Sequence, residues 1–433
     1  MISEAVYRSV NMSRDEHIYS CQLHFKGCAT PERLALASLL HGGPSPDISQ
    51  YRLLEVGCGA GANLIPLACY RPQAEFIGVD LDSKQVNLAT ARSEALKQSN
   101  ISFRKIDLDQ KDGWPEGPFD FILIHDIASK VPSEILQRLF HLCSTSLAPE
   151  GLLYLNYDSM PGWNIRNMVR EYLLAHNEGV SEEAEKIARA KLAAEKMTRS
   201  LHTSEHPYRQ LLASEFKQVS NSTPDELALN YLNPHQNAFW RSELLDRVKQ
   251  FGLSYVADAD YNIAPQRTRL RKQIESQDLI GTNLHDTEDL LSYCTYHLPL
   301  FSLQPIQVPQ PPPEKIAQLH IAACLYPVGP HRPEWYQHPN GYQLHISETS
   351  LANMLEQLRP LWPRSVPLTT LLETWEQHID VLLELNRSGL LELRLPDAPF
   401  APDTHNLSLL NQMELQWYGY YTTSQHQRIY KHS

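Results

Sequence analysis

The chain has 433 residues, 42% of them hydrophobic and 20% charged, which is too many for one ordinary core and implies two domains of a soluble globular type. Its 38 basic and 50 acidic side chains leave a net charge of −12, a bulk field that opposes nucleic acid and suits a cationic partner such as a lysine-bearing protein. No apolar run nears 18 residues and the start, MISEAVYRSVNMSRDEH, lacks a basic-then-apolar leader; the expectation is a cytoplasmic chain without membrane insertion.

Residues 1–30 read as an N-terminal segment. Within it His17, Cys21, His24 and Cys28 recur every three or four residues, a spacing that would align four ligands on one helical face. Phe25 and Gly27 interrupt a good helix there, and no metal is assigned. The seven cysteines include no CxxC pair, which fits free thiols in a reducing compartment.

Over 31–158, apolar strands alternate with helical pattern. Strands are predicted at Arg52–Val56, Glu75–Val79, Ser102–Ile106, Phe119–Ile124 and Leu152–Asn156, with helices at Ala62–Cys69, Lys84–Lys97 and Ser133–Ser146. This alternation predicts an α/β fold, a parallel sheet with helices on both faces. At Met160-Pro161-Gly162-Trp163 the pattern breaks, and 159–238 reads as a helical insertion. In SEEAEKIARAKLAAEKM, acids and bases three or four residues apart mark a solvated helix face.

Residues 239–304 return to the sheet, through a helix at Phe239–Phe251 stopped by Gly252 and a strand at Leu253–Ala257. The proline-rich FSLQPIQVPQPPPEK is extended and stiff, placing a linker at 305–314. Over 315–433, LANMLEQLRPLWP, VPLTTLLETW and IDVLLELNRSG read as short helices and LLELRLPD as a strand, a winged-helix-like unit. Those helices carry too few basic residues for DNA. The unit is assigned to interaction, with a homodimer as the candidate assembly.

The chemistry concentrates in LLEVGCGAGANLIPLA, a strand running into a Gly-x-Gly-x-Gly turn and a helix. Gly57, Gly59 and Gly61 let the backbone bend and approach a ligand, while the helix start offers free N–H groups. Asp80, in VDLD at the end of the second strand, can accept both hydroxyls of a ribose. Because Ala62 follows Gly61, the string also satisfies the dinucleotide pattern G-x-G-x-x-G/A. Glu55 separates the two cofactor classes, since a carboxylate there repels a pyrophosphate and attracts the ammonium of a methionine moiety. Asp107, in the IDLD that closes the third strand, is placed to accept from an adenine amino group. The reading is S-adenosylmethionine, with Cys58, Asn63, Leu81, Leu108 and His125 as further contacts.

Methyl transfer from a sulfonium needs alignment more than acid–base machinery. A lysine acceptor must also shed a proton, at a cost of about 4 to 5 kcal/mol at pH 7 from a reference pKa near 10.4. Aromatic walls lower that cost by desolvation and can hold a methylated ammonium. Tyr157 and Trp163 are candidates for such a wall, and Trp163 reads equally as a core anchor beneath the inserted helices. His125 opens HDIAS after the fourth strand, as a proton acceptor, a cofactor contact or a strand-end side chain. No Asn/Asp-Pro-Pro-Tyr/Phe motif stands there, which argues against adenine and glutamine acceptors. H-E-x-x-H and G-x-S-x-G are absent, so zincin and serine-hydrolase readings have no support. No catalytic residue is assigned.

Taken together, LLEVGCGAGANLIPLA, VDLDSKQV, NYDSMPGWNIRNMVREYLL and AFWRSELLDRVKQFGLSYVADAD resemble bacterial class I methyltransferases that carry a methyltransferase regulatory domain. LHIAACLYPV, PLWPRSVPLTTLLE and LLELNRSGLLEL resemble the winged-helix-like domain appended to them. The resemblance implies a Rossmann-like seven-stranded sheet, S-adenosylmethionine held by Glu55, Gly57, Gly59, Gly61, Asp80 and Asp107, and an acceptor site open toward the insertion. The best-known members of this family methylate lysines of outer-membrane proteins. The chain departs from the family at Met160, where a tyrosine is usual, and at YCTYHLPLFSLQ, where an arginine-rich strand is expected.

Overall fold

A computed structural model describes residues 29–430 apart from 110–112, 203–204, 260–273, 275–282, 307–310, 312, 330, 333, 340, 342, 363, 372–374, 397–403, 419 and 423–427. The histidine and cysteine stretch at 17–28 and much of the linker thus lie outside the described residues.

Strands β1 (Arg52–Val56), β2 (Glu75–Asp80), β3 (Ile101–Lys105), β4 (Phe119–Ile124), β5 (Leu147–Leu155), β6 (Ser254–Asp258) and β7 (Pro299–Ser302) form one sheet. Their order is β3-β2-β1-β4-β5-β7-β6. The pairs β1–β2, β2–β3, β1–β4 and β4–β5 run parallel. Only β7 opposes its neighbours β5 and β6.

The central strands are apolar at nearly every position because both faces are covered. Alternate residues serve opposite cores: Leu54, Ile122, Ile124 and Leu153 pack on one side, and Leu53, Phe121, Leu123 and Leu152 on the other. Helix Ser133–Ser146 closes the first side with Leu136, Leu139, Phe140 and Cys143, the spacing of one helical face. The β5 strand begins at Leu147, earlier than its apolar run suggests, because Leu147 pairs with Phe119 across an irregularity in the ladder. Phe301 and Ser302, the first residues of the stretch read as linker, belong to β7 and are buried.

Helix Pro31–Leu40 is capped by Thr30, whose hydroxyl accepts from Arg33 N, and starts with proline. Past its first turn it is buried on every side because it lies between two cores. Leu34, Ala35 and Ala37 face the sheet, whereas Leu36, Leu39 and Leu40 pack with Ile321, Leu355 and Leu393 of the C-terminal part. That part has a three-stranded antiparallel sheet of His320–Ala322, Val366–Pro367 and Glu392–Arg394. Amphipathic helices Thr349–Leu358 and Ile379–Arg387 cover it; of VPLTTLLETW only Leu368–Leu371 is α-helical. Beyond it, helix Thr404–Tyr418 returns to the seven-stranded half, where Leu410 and Met413 pack on Ile65, Cys69 and Tyr70.

The insertion consists of helices Trp163–His176, Glu183–Leu201 and Pro207–Asn221, with a core of Val169, Leu173, Ala190, Ala194, Phe216 and Val219. A capping box of Thr223 and Glu226 starts Pro224–Leu227, which continues into a π-helix at Ala228–Leu232. Its root is tight: a Cβ on Gly162 would lie 2.2 Å from the Cys294 carbonyl oxygen. Backbone cannot yield as a side chain can, so Gly162→Ala is expected to cost about 1–3 kcal/mol in chemical denaturation. An unchanged midpoint would show that this contact is slack.

Candidate functional site

A cavity of about 490 Å³ opens at the carboxyl ends of the strands. It lies where the chain reverses direction between β1 and β4, the switch point at which open α/β sheets bind ligands. Val56 and Gly57 line it from β1, Val79, Asp80 and Leu81 from β2, and Ile106, Asp107, Leu108 and Asp109 from the segment after β3. Asp126, Ile127 and Lys130 contribute from the loop after β4, and Leu229 and His235 from the insertion.

Asp80 organises the glycine turn. Its two carboxylate oxygens accept from Gly59 N and Asp82 N, both at 2.9 Å. Gly57 has φ +75, and a Cβ there would come within 2.4 Å of Ile127 Cδ1. Only glycine keeps the strand end open. Asp107 accepts from Asp109 N at 3.0 Å, and Leu81, 61% exposed at the rim, offers an apolar surface for a flat base.

Several expected contacts sit elsewhere. Glu55 is fully buried and does not line the cavity. Its Oε1 accepts from Asn63 Nδ2 at 3.0 Å and lies 3.3 Å from His125 Nε2. Cys58, Gly59, Gly61, Asn63 and His125 likewise form the layer behind the wall. Tyr157 and Trp163 do not line the cavity either, at 2% and 3% exposure. Trp163 is an anchor between two cations, with Lys130 Nζ 5.3 Å and Arg166 Cζ 4.7 Å from its ring. Tyr157 packs against Phe239 and His297.

Sequence reasoning missed two residues. Asp126, beside His125 in HDIAS, takes a left-handed backbone with φ 51. Asn156 holds it there: Asp126 N donates to Asn156 Oδ1 at 2.6 Å, and Asn156 Nδ2 donates back to the Asp126 carboxylate. Lys130 is the second. Its stem lines the cavity, while its ammonium donates to Asp158 (3.1 Å), Asn230 (3.1 Å) and Gln236 (2.9 Å). All three donors are thereby satisfied, and the arm carrying Leu229 and His235 is clasped over the cavity. An acid directly after a strand end was a readable signal; the clasp, joining residues about 100 apart, was not.

Residues 53–151 match the family model described as a methyltransferase domain. The sheet is that of the class I methyltransferases, whose methyl donor is S-adenosylmethionine. Across 94% of this chain and 85% of the other, the fold is similar to PKMT2 from Rickettsia typhi, at TM-score 0.77 and 18% identity, also solved in complex with AdoHcy. The chain is 31% identical over 230 residues to the uncharacterized protein RP789 of Rickettsia prowazekii, which covers 53% of this chain and 41% of that relative. It is 26% identical over 223 residues to RP028 of the same organism, covering 51% and 88%. The chain thus spans less than half of the first of these relatives.

The residues present fit that donor. Glu55 Oε2 is a buried acceptor with no hydrogen-bond partner among the described residues, in the layer behind Gly57. Burial pushes the Glu55 carboxyl well above the usual carboxylate range, against the hydrogen bond from Asn63. A cationic ligand favours the ionised form, so binding is expected to release a proton and to tighten as pH rises. Titration calorimetry in buffers of different ionisation enthalpy checks this, with the proton release lost in Glu55→Gln. Release of equal size in that variant would assign it to another group.

Proposed function

We propose that this chain transfers methyl groups from S-adenosylmethionine to lysine side chains of a protein. The carrying observation is the charge of the cavity: Asp80, Asp107, Asp109 and Asp126 line it, against Lys130 as the only lysine or arginine among the described lining residues. The Lys130 charge is already committed to Asp158. Such a wall favours a cationic donor and a cationic acceptor and repels the phosphates of a nucleic acid. The whole-chain likeness to PKMT2, a protein lysine methyltransferase, supports the same acceptor class.

In this reading Gly57, Asp80, Leu81, Asp107 and Leu108 seat the adenosine, and Glu55 receives the ammonium of the methionine moiety. Bound S-adenosylmethionine supplies a methyl group already activated by its sulfonium. Asp126 orients the acceptor amine at the mouth after β4, and its proton leaves to solvent. The insertion and the winged-helix-like C-terminal part present the protein substrate.

The test is incubation of the purified chain with methyl-labelled donor and bacterial lysate, followed by mass spectrometry of labelled peptides. Methyl-lysine in protein is the expected result. Label confined to extractable metabolites or RNA would reject the assignment.

A further inference from the structure

A second cluster lies outside the cavity, where the end of β6, the segment 289–297 and the short ladder of Tyr157–Asp158 with Tyr296–His297 meet. Asp289, Cys294 and His297 are 1%, 3% and 3% exposed, and their ligand atoms all lie within 4.8 Å of one another. We propose that these three side chains bind one zinc ion, which pins the root of the insertion to the sheet. This site is independent of the methyl-transfer reading.

Three observations carry it. The first is spacing. Tetrahedral zinc with bonds of about 2.3 Å to sulfur and about 2.0 Å to nitrogen sets those atoms roughly 3.6 Å apart, and Cys294 Sγ lies 3.6 Å from His297 Nε2. Asp289 Oδ2, at 2.7 Å from the same nitrogen, must draw back by about 0.6 Å to ligate. The second is the layer behind the ligands. His297 Nδ1 faces Asp258 Oδ2 at 3.3 Å, the carboxylate–histidine arrangement that fixes a ligating imidazole with its other nitrogen toward the metal. Arg241, 3.9 Å from the same Asp258 oxygen, neutralises that acid.

The third is charge. The Cys294 thiol, which donates to Tyr296 O at 3.1 Å without metal, would lose its proton to solvent on binding. One thiolate and one carboxylate then match the charge of the dication, while Arg241 stands against Asp258 behind the ligands. Thiolate, imidazole and carboxylate together suit zinc better than magnesium or calcium.

The site is consequential because Gly162 abuts the Cys294 carbonyl and Tyr157 pairs with His297. The experiment equilibrates the full chain with zinc, removes excess by gel filtration and measures metal by mass spectrometry. One equivalent more in the wild type than in Cys294→Ser is expected, with zinc raising the Tm of the wild type alone. Equal zinc in both chains would place the metal on other residues and overturn the proposal, as would folded wild type carrying none. Because Cys294→Ser keeps the size of the side chain, circular dichroism of that variant separates lost metal from lost fold. If it does not fold, cobalt(II) added to the wild type must give a tetrahedral thiolate spectrum that Asp289→Asn weakens; its absence contradicts the site.

Discussion

Asp80→Ala is expected to weaken S-adenosylmethionine binding by at least about 100-fold, because the side chain has two duties at once. Two charge-assisted hydrogen bonds to ribose hydroxyls contribute on the order of 3 kcal/mol or more together, and each ~1.4 kcal/mol is tenfold in Kd. The same carboxylate holds Gly59 N and Asp82 N at 2.9 Å, so its loss also frees the turn that shapes the cavity. Asp80→Asn keeps an acceptor for Gly59 but loses the charge, and should fall between, near tenfold. Equal affinity for wild type and Asp80→Ala in titration calorimetry would remove the adenosine from this cavity.

Lys130→Met should be the most damaging single change in the clasp. Lys130 and Asp158 side chains are only 7% and 17% exposed, and removing one partner of such a pair leaves a charge stranded, at a cost of about 3 kcal/mol. Burial already raises the Asp158 carboxyl, with Lys130 pulling it back down; the variant raises it further. An acid with a raised folded-state pKa is accommodated below its unfolded pKa and loses stability as pH climbs through the folded value. The deficit of Lys130→Met should therefore be small near pH 4 and grow toward pH 8. A deficit independent of pH would mean that packing of the stem, not charge, is what Lys130 provides. Cofactor affinity should fall as well, since the freed arm carries Leu229 and His235 away from the cavity. Lys130→Met combined with Asp158→Leu should recover stability without recovering that affinity.

The sheet was legible because its signals are local: apolar runs such as FDFILI are buried on both faces and have no other stable place. The glycine turn and Asp80 were legible for the same reason, as neighbouring residues on one strand–turn unit. The depth of Glu55 was not. Whether a carboxylate at a strand end points into the cavity or behind it depends on Asn63 and His125, which no periodicity reports. Sequence left Trp163 between wall and anchor because an aromatic at a helix start looks the same whether it meets a substrate or is held between Lys130 and Arg166. Likewise Pro299–Ser302 merges into a proline-rich stretch in sequence, and only its pairing with β5 and β6 makes it a strand. The Asp289, Cys294 and His297 cluster escaped notice because Asp258, which orients it, lies about 30 to 40 residues earlier.

The central claim is that the cavity between the ends of β1, β2 and β4 holds the adenosyl donor. A crystal structure with S-adenosylhomocysteine tests it most directly. The expected result is the ribose on Asp80, the adenine beside Asp107 and Leu108, and the amino group directed toward Glu55 Oε2. Adenosine density at any other place, with the Asp80 carboxylate still bound only to Gly59 and Asp82, would contradict it.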